Sequence, residues 1–341
     1  MPWRRRASPG RRLAGLAVLL VLAVLLSVFW GRYPGVGFTN PARLADDELA
    51  RQLVLTLRVP RVLTALALGM SLAAAGTVFQ QIFANPLIEP GFLGVSQGAA
   101  FGACLAIVVA GATGWLVQVL AAVGAFAGLA LSYAVSRRAR FGGATLRLVL
   151  AGIAVSALFS AGVGAMKVLA DPLTQLQEIT FWLLGGLQAI TWTPLLTIAP
   201  AVVVSLAVIY RMRWRLNLLS LDDVTAHSLG VAPGGERALL LGAAVVATAA
   251  VVSVCGMVGW LGLIVPHIAR RLFGADTRYA LPAAILIGGL VAVGCDDAAR
   301  TLLAGEIPIG ILTSFVGAGV FLVVMTRPGF SGHAAGSGGS S

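Results

Sequence analysis

The sequence predicts an all-α, polytopic membrane protein with about ten transmembrane helices, some of them short or broken. Three observations carry that reading. Hydrophobic residues fill 58% of the 341 positions and charged residues 11%, against roughly 25% charged in an ordinary soluble domain. Apolar runs such as 13–30, 116–135 and 192–210 approach or reach the roughly 20 residues that cross the hydrocarbon core. The basic residues behind the formal charge of +11 sit in short clusters between those runs. That distribution is a topology signal and not a nucleic-acid footprint.

Residues 1–12 form a basic stretch with Arg4, Arg5, Arg6, Arg11 and Arg12, which places the start of the chain in the cytoplasm. The run that follows ends at Trp30, Gly31, Arg32 and Tyr33 with no small-residue cleavage site, so it reads as an uncleaved anchor. Successive spans then fall at 13–30, 62–84, 91–112, 116–135, 145–168, 192–210, 238–268, 281–295 and 308–326. The stretch 238–268 has Arg237 on one side and Arg270 with Arg271 on the other, so it must cross twice. It holds about 46 Å of helix, short of two passages of about 30 Å each. At least one helix there is short or broken, and Gly256, Gly259 and Gly262 ahead of Pro266 mark a packed or pathway-lining site. This count puts both termini in the cytoplasm and most of the 24 Lys and Arg residues on that side, as the positive-inside rule requires.

The membrane domain thus covers 13–327, with its longest cytoplasmic loop at 211–237 and a Gly/Ser-rich, disordered cytoplasmic tail at 328–341. Gly76, Pro86 and Gly94 recur as Gly256, Pro266 and Gly274, each 180 positions later, a spacing that fits an inverted repeat of transporter halves.

Cys104, Cys255 and Cys295 lie in apolar runs without a CxxC pair and read as small core residues. His227, His267 and His333 are too scattered to hold a metal. Every acidic residue falls at a span end or in a loop, so the midplane charges of an ion-coupled carrier or channel are missing. Lys167 is the single lysine, which excludes a GxxxxGK[ST] phosphate loop and leaves any ATP to another subunit. No cluster of catalytic His, Asp or Glu argues for a membrane-embedded enzyme.

The fifth span carries Gly152, Ser156, Ser160 and Gly164 at spacing four, a stripe for close helix packing or for lining a pathway. Gly98 with Gly102, and Gly124 with Gly128, repeat the spacing and read as packing. In the long loop, Ser220 and Asp223 have capping-box spacing and Gly230 suits a left-handed stop. A helix over 221–229 follows. It is too short to hold alone and needs a docking surface, and Asp222, Asp223 and His227 on its exterior favour a partner protein.

From Arg32 to Arg327 the chain resembles the permeases of type II ABC importers, which take up iron siderophores, haem, cobalamin and related chelates. The motifs that carry the resemblance are Arg58-Val59-Pro60-Arg61, the run Asn85-Pro86-Leu87-Ile88-Glu89-Pro90-Gly91 continuing to Gly98, His227-Ser228-Leu229-Gly230, Gly262-Leu263-Ile264-Val265-Pro266-His267 and Glu306-Ile307-Pro308-Ile309-Gly310.

The resemblance implies a permease of the bacterial or archaeal cytoplasmic membrane, paired with itself or a similar permease. Its partners would be two cytoplasmic ABC ATPases, which hold the ATP and Mg, an extracytoplasmic substrate-binding protein and membrane lipid, with no nucleic acid. The segment Ser220, Leu221, Asp222, Asp223, Ala226, His227, Ser228, Leu229, Gly230 looks like the ATPase-coupling element. Arg58, Arg61 and Arg300 match positions that hold acidic residues of the binding protein, a geometry suited to guanidinium. Asn85 and Leu87, with Ala144 and Thr145, match the cytoplasmic gates, and Gly152, Ser156, Ser160 and Gly164 the pathway. The implied cargo is a ferric siderophore, or else haem, cobalamin or an oxyanion such as molybdate. No cofactor and no enzyme chemistry are expected in this chain.

Overall fold

The computed structural model describes residues 8–326 apart from 34, 112–113, 141, 222 and 304. Arg4, Arg5, Arg6, Asp222, Arg327 and the tail 328–341 lie outside the described residues. Helix α1 (Pro9–Phe29) leads into a two-stranded antiparallel ribbon, β1 (Trp30–Gly31) and β2 (Gly37–Phe38), then α2 (Arg43–Asp46) and α3 (Glu48–Gln52). A π-helical turn, Leu53–Arg58, joins α3 to α4 (Val59–Ile82). A single 3-10 turn, Pro90–Leu93, precedes α5 (Val95–Ala110), followed by α6 (Trp115–Arg138), α7 (Ala144–Leu169) and α8 (Gln175–Leu184). The rest comprises α9 (Trp192–Arg211), α10 (Arg215–Leu219), α11 (Asp223–Ser228), α12 (Pro233–Cys255), α13 (Leu261–Phe273), α14 (Thr277–Thr301) and α15 (Ile309–Thr326).

Among the described residues, 7 helices are long and apolar enough to cross a membrane, and α5 and α15 are shorter apolar helices. The stretch 238–268 divides as its glycines predict: α12 stops at Cys255, residues 256–260 are not helical, and α13 resumes at Leu261. With α13 counted as a short span, every predicted crossing has a helix. Three features depart from the sequence reading. Helix α4 is extended upstream through α3, α8 occupies a stretch with no predicted element, and α14 runs on past 295 to Thr301.

Lipid tails are as apolar as leucine, so helices in a bilayer associate through close packing. Here glycine supplies it. A Cβ on Gly69 would sit 2.0 Å from the Gly288 carbonyl oxygen, and one on Gly76 would sit 1.8 Å from that of Gly262. Helix α4 thereby packs backbone to backbone on α14 and α13, and most of its side chains are buried. The second contact of this kind joins α5 to α6, where Gly98 and Gly124 face each other with 2.1 Å left for either Cβ. By contrast α1 presents Val18, Leu22 and Leu26 outward, as a lipid-facing helix does.

Pro266, inside α13, has no N–H for the carbonyl four residues back. That carbonyl belongs to Gly262, and the Gln80 side chain from α4 donates to it at 3.3 Å and to the Leu263 carbonyl at 3.0 Å. Arg270 closes the arrangement by donating to Gln80 Oε1 at 2.6 Å. Gly76, Pro86 and Gly94 do not share surroundings with Gly256, Pro266 and Gly274. Gly76 is buried inside α4 while Gly256 ends a helix, and Pro86 follows a helix while Pro266 lies within one. The 180-residue recurrence therefore does not mark equivalent places.

Gly76→Ala is expected to cost about 1–3 kcal/mol through overpacking, seen as a lowered apparent Tm in detergent. Gly242→Ala, with nothing within 4 Å of its Cβ, should leave the Tm unchanged.

Candidate functional site

The loop between α9 and α12 is built on α10 and α11. Ser220 Oγ donates to the Asn217 carbonyl at 2.8 Å and closes α10; α11 begins only at Asp223, so Ser220 does not take the cap position that its spacing to Asp223 predicts. Helix α11 is correspondingly shorter than 221–229. Its end follows the left-handed pattern: Gly230 has φ +78°, and the Val231 N–H reaches back to the Ala226 carbonyl at 3.2 Å. Ala226 is its buried residue, whereas Val224 is 81% and Leu229 55% exposed, and Leu221, His227 and Ser228 are exposed too. Asp223 is tied down by Arg237, which also donates to the Leu219 and Leu221 carbonyls at 2.9 and 3.2 Å.

The base of this loop is fixed to the turn between α13 and α14. Asn217 donates to Asp276 at 2.8 Å and accepts from the Thr277 N–H at 3.0 Å and hydroxyl at 2.8 Å. The Arg278 side chain, aided by its own N–H and by Asn217, pulls the Asp276 carboxyl down to about 2, so Asp276 is ionised at ordinary pH and its charge is met by Arg278.

Within the helices lies a cavity of about 860 Å³, lined by the α4–α5 loop, α7, the 256–260 break and α15. Its walls are mostly apolar, with Glu89, Ser96, Gln97, Ser156, Thr248 and Ser314 as polar points. The backbone around it is broken and interlocked. A Cβ on Gly185 would lie 2.5 Å from the Met257 carbonyl, one on Gly256 2.2 Å from that of Trp182, and one on Gly310 2.3 Å from that of Leu184. The Gly186 N–H donates to the Cys255 carbonyl at 2.8 Å. Gly256 and Pro266 signal this region in the sequence; nothing in composition singles out α8 and Gly185 as its other wall.

The α7 stripe divides. Gly152 packs on the Phe92 carbonyl, Ser156 lines the cavity, and Ser160 and Gly164 are exposed. Asn85 and Leu87 are exposed on the α4–α5 loop, where Asn85 Oδ1 accepts the Leu87 N–H at 2.9 Å. Helix α7 starts at Ala144, and the side chains of Ala144 and Thr145 lie outside the described residues. No group of three or more metal-ligating side chains occurs among the described residues.

The three arginines gather at the ribbon end of the bundle. Arg61 donates to Asp296 at 2.9 and 3.2 Å and to Glu306 at 2.9 and 2.8 Å. Arg300 donates to the Ser27 carbonyl at 2.6 Å and hydroxyl at 2.8 Å and pairs with Asp297. The side chains of Arg61 and Arg300 are only 10% and 6% exposed, so both are engaged inside the chain. Arg58 is half-buried and donates to neutral oxygens, Thr39 Oγ1 at 3.0 Å and the Phe29 carbonyl at 3.4 Å. Asp296 is fully buried. The expectation that all acids lie at span ends or in loops fails there, because α14 continues and Arg61 supplies the counter-charge.

The model of the FecCD transport family matches residues 19–327. The molybdate import system permease of Haemophilus influenzae is 37% identical over 326 residues, covering 92% of this chain and 95% of that protein. The hemin transport system permease of Yersinia pestis is 38% identical over 327 residues, 94% of this chain and 97% of its own length. A solved metal-chelate type ABC transporter in an inward-facing conformation superposes with a TM-score of 0.85 at 36% identity, covering 93% of this chain and 99% of that one.

Arg61→Ala leaves the buried Asp296 carboxylate without its fork and should cost about 3–5 kcal/mol, whereas Asp296→Ala leaves Arg61 paired with Glu306 and should cost less. The combined Arg61→Met, Asp296→Leu variant should recover most of the apparent Tm lost in Arg61→Ala, measured in detergent.

Proposed function

The chain belongs to the FecCD transport family, and we propose that it works as the membrane-spanning permease of an ATP-driven importer that carries a metal chelate, ferric siderophore first among them, into the cytoplasm. The observation that carries this reading is α11, a helix of 6 residues whose buried residue is Ala226 and which turns Val224, with Leu229 just past its end, outward. A helix so short does not persist for its own sake. Its anchoring through Asn217, Asp276 and Arg237 makes it a rigid knob for a cytoplasmic ATPase, which holds the ATP and Mg. This chain itself needs no cofactor and performs no catalysis.

Both termini are then cytoplasmic, and the ribbon end faces outward. There Arg58 offers its guanidinium to a carboxylate of a substrate-binding protein, with Arg61 and Arg300 held behind it by Asp296 and Asp297. The cavity is the pathway, with Ser156 on its wall, Asn85 and Leu87 gating it, and Ala144 and Thr145 contributing from α7. Exposed apolar side chains beside it, such as Leu158 on α7 and Phe315 on α15, suit a second copy or a similar permease that completes the passage. The relatives named for molybdate and hemin, and those named for vitamin B12, make these the next cargoes to test.

The test is uptake of radio-iron siderophore by vesicles holding permease, ATPase and binding protein. The double variant Val224→Asp, Leu229→Asp is expected to lower ATP-driven uptake at least about tenfold, equivalent to ~1.4 kcal/mol of lost coupling, without loss of folded permease. Undiminished uptake would overturn the role of α11.

A further inference from the structure

Among the described residues that line the cavity, Glu89 is the one ionisable side chain, and no arginine, lysine or histidine stands on its wall. Glu89 also takes part in none of the ion pairs of the described residues. Its Oε1 and Ser96 Oγ lie 3.6 and 3.3 Å from where a Cβ on Gly91 would be, so both border the space that a side chain there would fill. Two more hydroxyls on the wall lean the same way. Thr248 Oγ1 donates to the Ala244 carbonyl at 2.9 Å, and Ser314 Oγ to that of Gly310 at 2.7 Å. With their protons engaged by their own helices, both have only lone pairs to offer a molecule in the cavity.

Helix ends do not reverse this polarity. Helices α5, α13 and α15 begin beside the cavity, and α8 and α12 end beside it. Starts and ends carry opposite partial charges, so the surplus start leaves about half a positive charge, less than the full charge of a carboxylate. A negatively charged cargo would shed water here without meeting a cation, which is costly, and would face Glu89 where screening is weak. The volume of about 860 Å³ falls within the roughly 300–1,000 Å³ of sites that enclose drug-sized ligands, the scale of a chelate and not of a lone oxyanion. We propose that the cargo is a metal chelate of zero or positive net charge, and that Glu89 is the residue that selects it by charge. A second copy that completes the passage brings a second Glu89 and adds to the bias. The inference rests on the importer reading above and ranks molybdate, and hemin with its carboxylates, behind a neutral or cationic siderophore.

The experiment measures equilibrium binding of radio-iron chelates to the solubilised permease–ATPase complex, without ATP or binding protein. The probes are a ferric trihydroxamate with a single positive charge, a neutral ferric trihydroxamate and a ferric tris-catecholate trianion. Burial pushes the Glu89 carboxyl up to about 7, so the pH is held at about 8, where the carboxylate predominates. The cation is expected to bind at least about tenfold more tightly than the trianion. Glu89→Gln, which keeps the size and removes the charge, is expected to weaken the cation at least about threefold and to leave the neutral chelate unchanged. If Glu89→Gln does not fold, wild-type complex at about pH 5.5, where that carboxyl is protonated, takes its place with the same expected loss. Trianion binding as tight as the cation's, no binding of either trihydroxamate, or a cation unaffected by Glu89→Gln or its substitute overturns the assignment, as does an equal loss for the neutral chelate. Absence of ATP-driven uptake by the wild-type complex would instead overturn the importer reading.

Discussion

No water is at hand inside a bilayer, so each backbone N–H and carbonyl there must find its partner within the protein. An unbroken helix meets that demand automatically. This chain breaks its helices at 185–191 and 256–260, and the rest of its interior follows from how the freed groups are satisfied. Gly186 donates to Cys255 across the two breaks. Gly185, Gly256 and Gly310 have no side chain because a neighbouring carbonyl occupies the space. Gln80 serves the carbonyl that Pro266 leaves open. The cavity lies against the second of these breaks, with residues 257–260 on its wall.

The same economy governs charge. Arg61, Asp296, Glu306, Arg300 and Asp297 are costly in a membrane interior, and they are tolerable at the ribbon end because each cation has a carboxylate within reach. Breaking α14 at 295 would have left Asp296 without the Arg61 fork. The longer helix and the buried pair are one solution.

Apolar runs and basic clusters made the crossings legible, and Gly256 with Pro266 made the α12–α13 break legible, because composition and period record burial in lipid directly. Pairings were not legible. Arg61 lies 235 positions from Asp296 and 245 from Glu306, and no local pattern announces such a bond. A motif that fits an outward-facing role therefore concealed an inward one. Ser220 fails for another reason: its spacing to Asp223 fits a cap, yet the helix begins only at Asp223, too late for a hydroxyl at 220 to cap it. Helix α8 is not legible in the sequence because its 10 residues are too few to register as a span.

The distribution of close packing also separates the parts that can shift from those that cannot. Helices α4, α13 and α14 meet at glycine, and most residues of α4 and of α14 are buried, so displacing one against another would open voids on both sides. Only 22% of the apolar window of α7 is buried against 78% for the span that contains α4. The cavity thus has a tightly packed side at α4 and α13 and, across it, α7 and α15 with Leu158 and Phe315 exposed. Its polar points Glu89, Ser156 and Ser314 come from both sides.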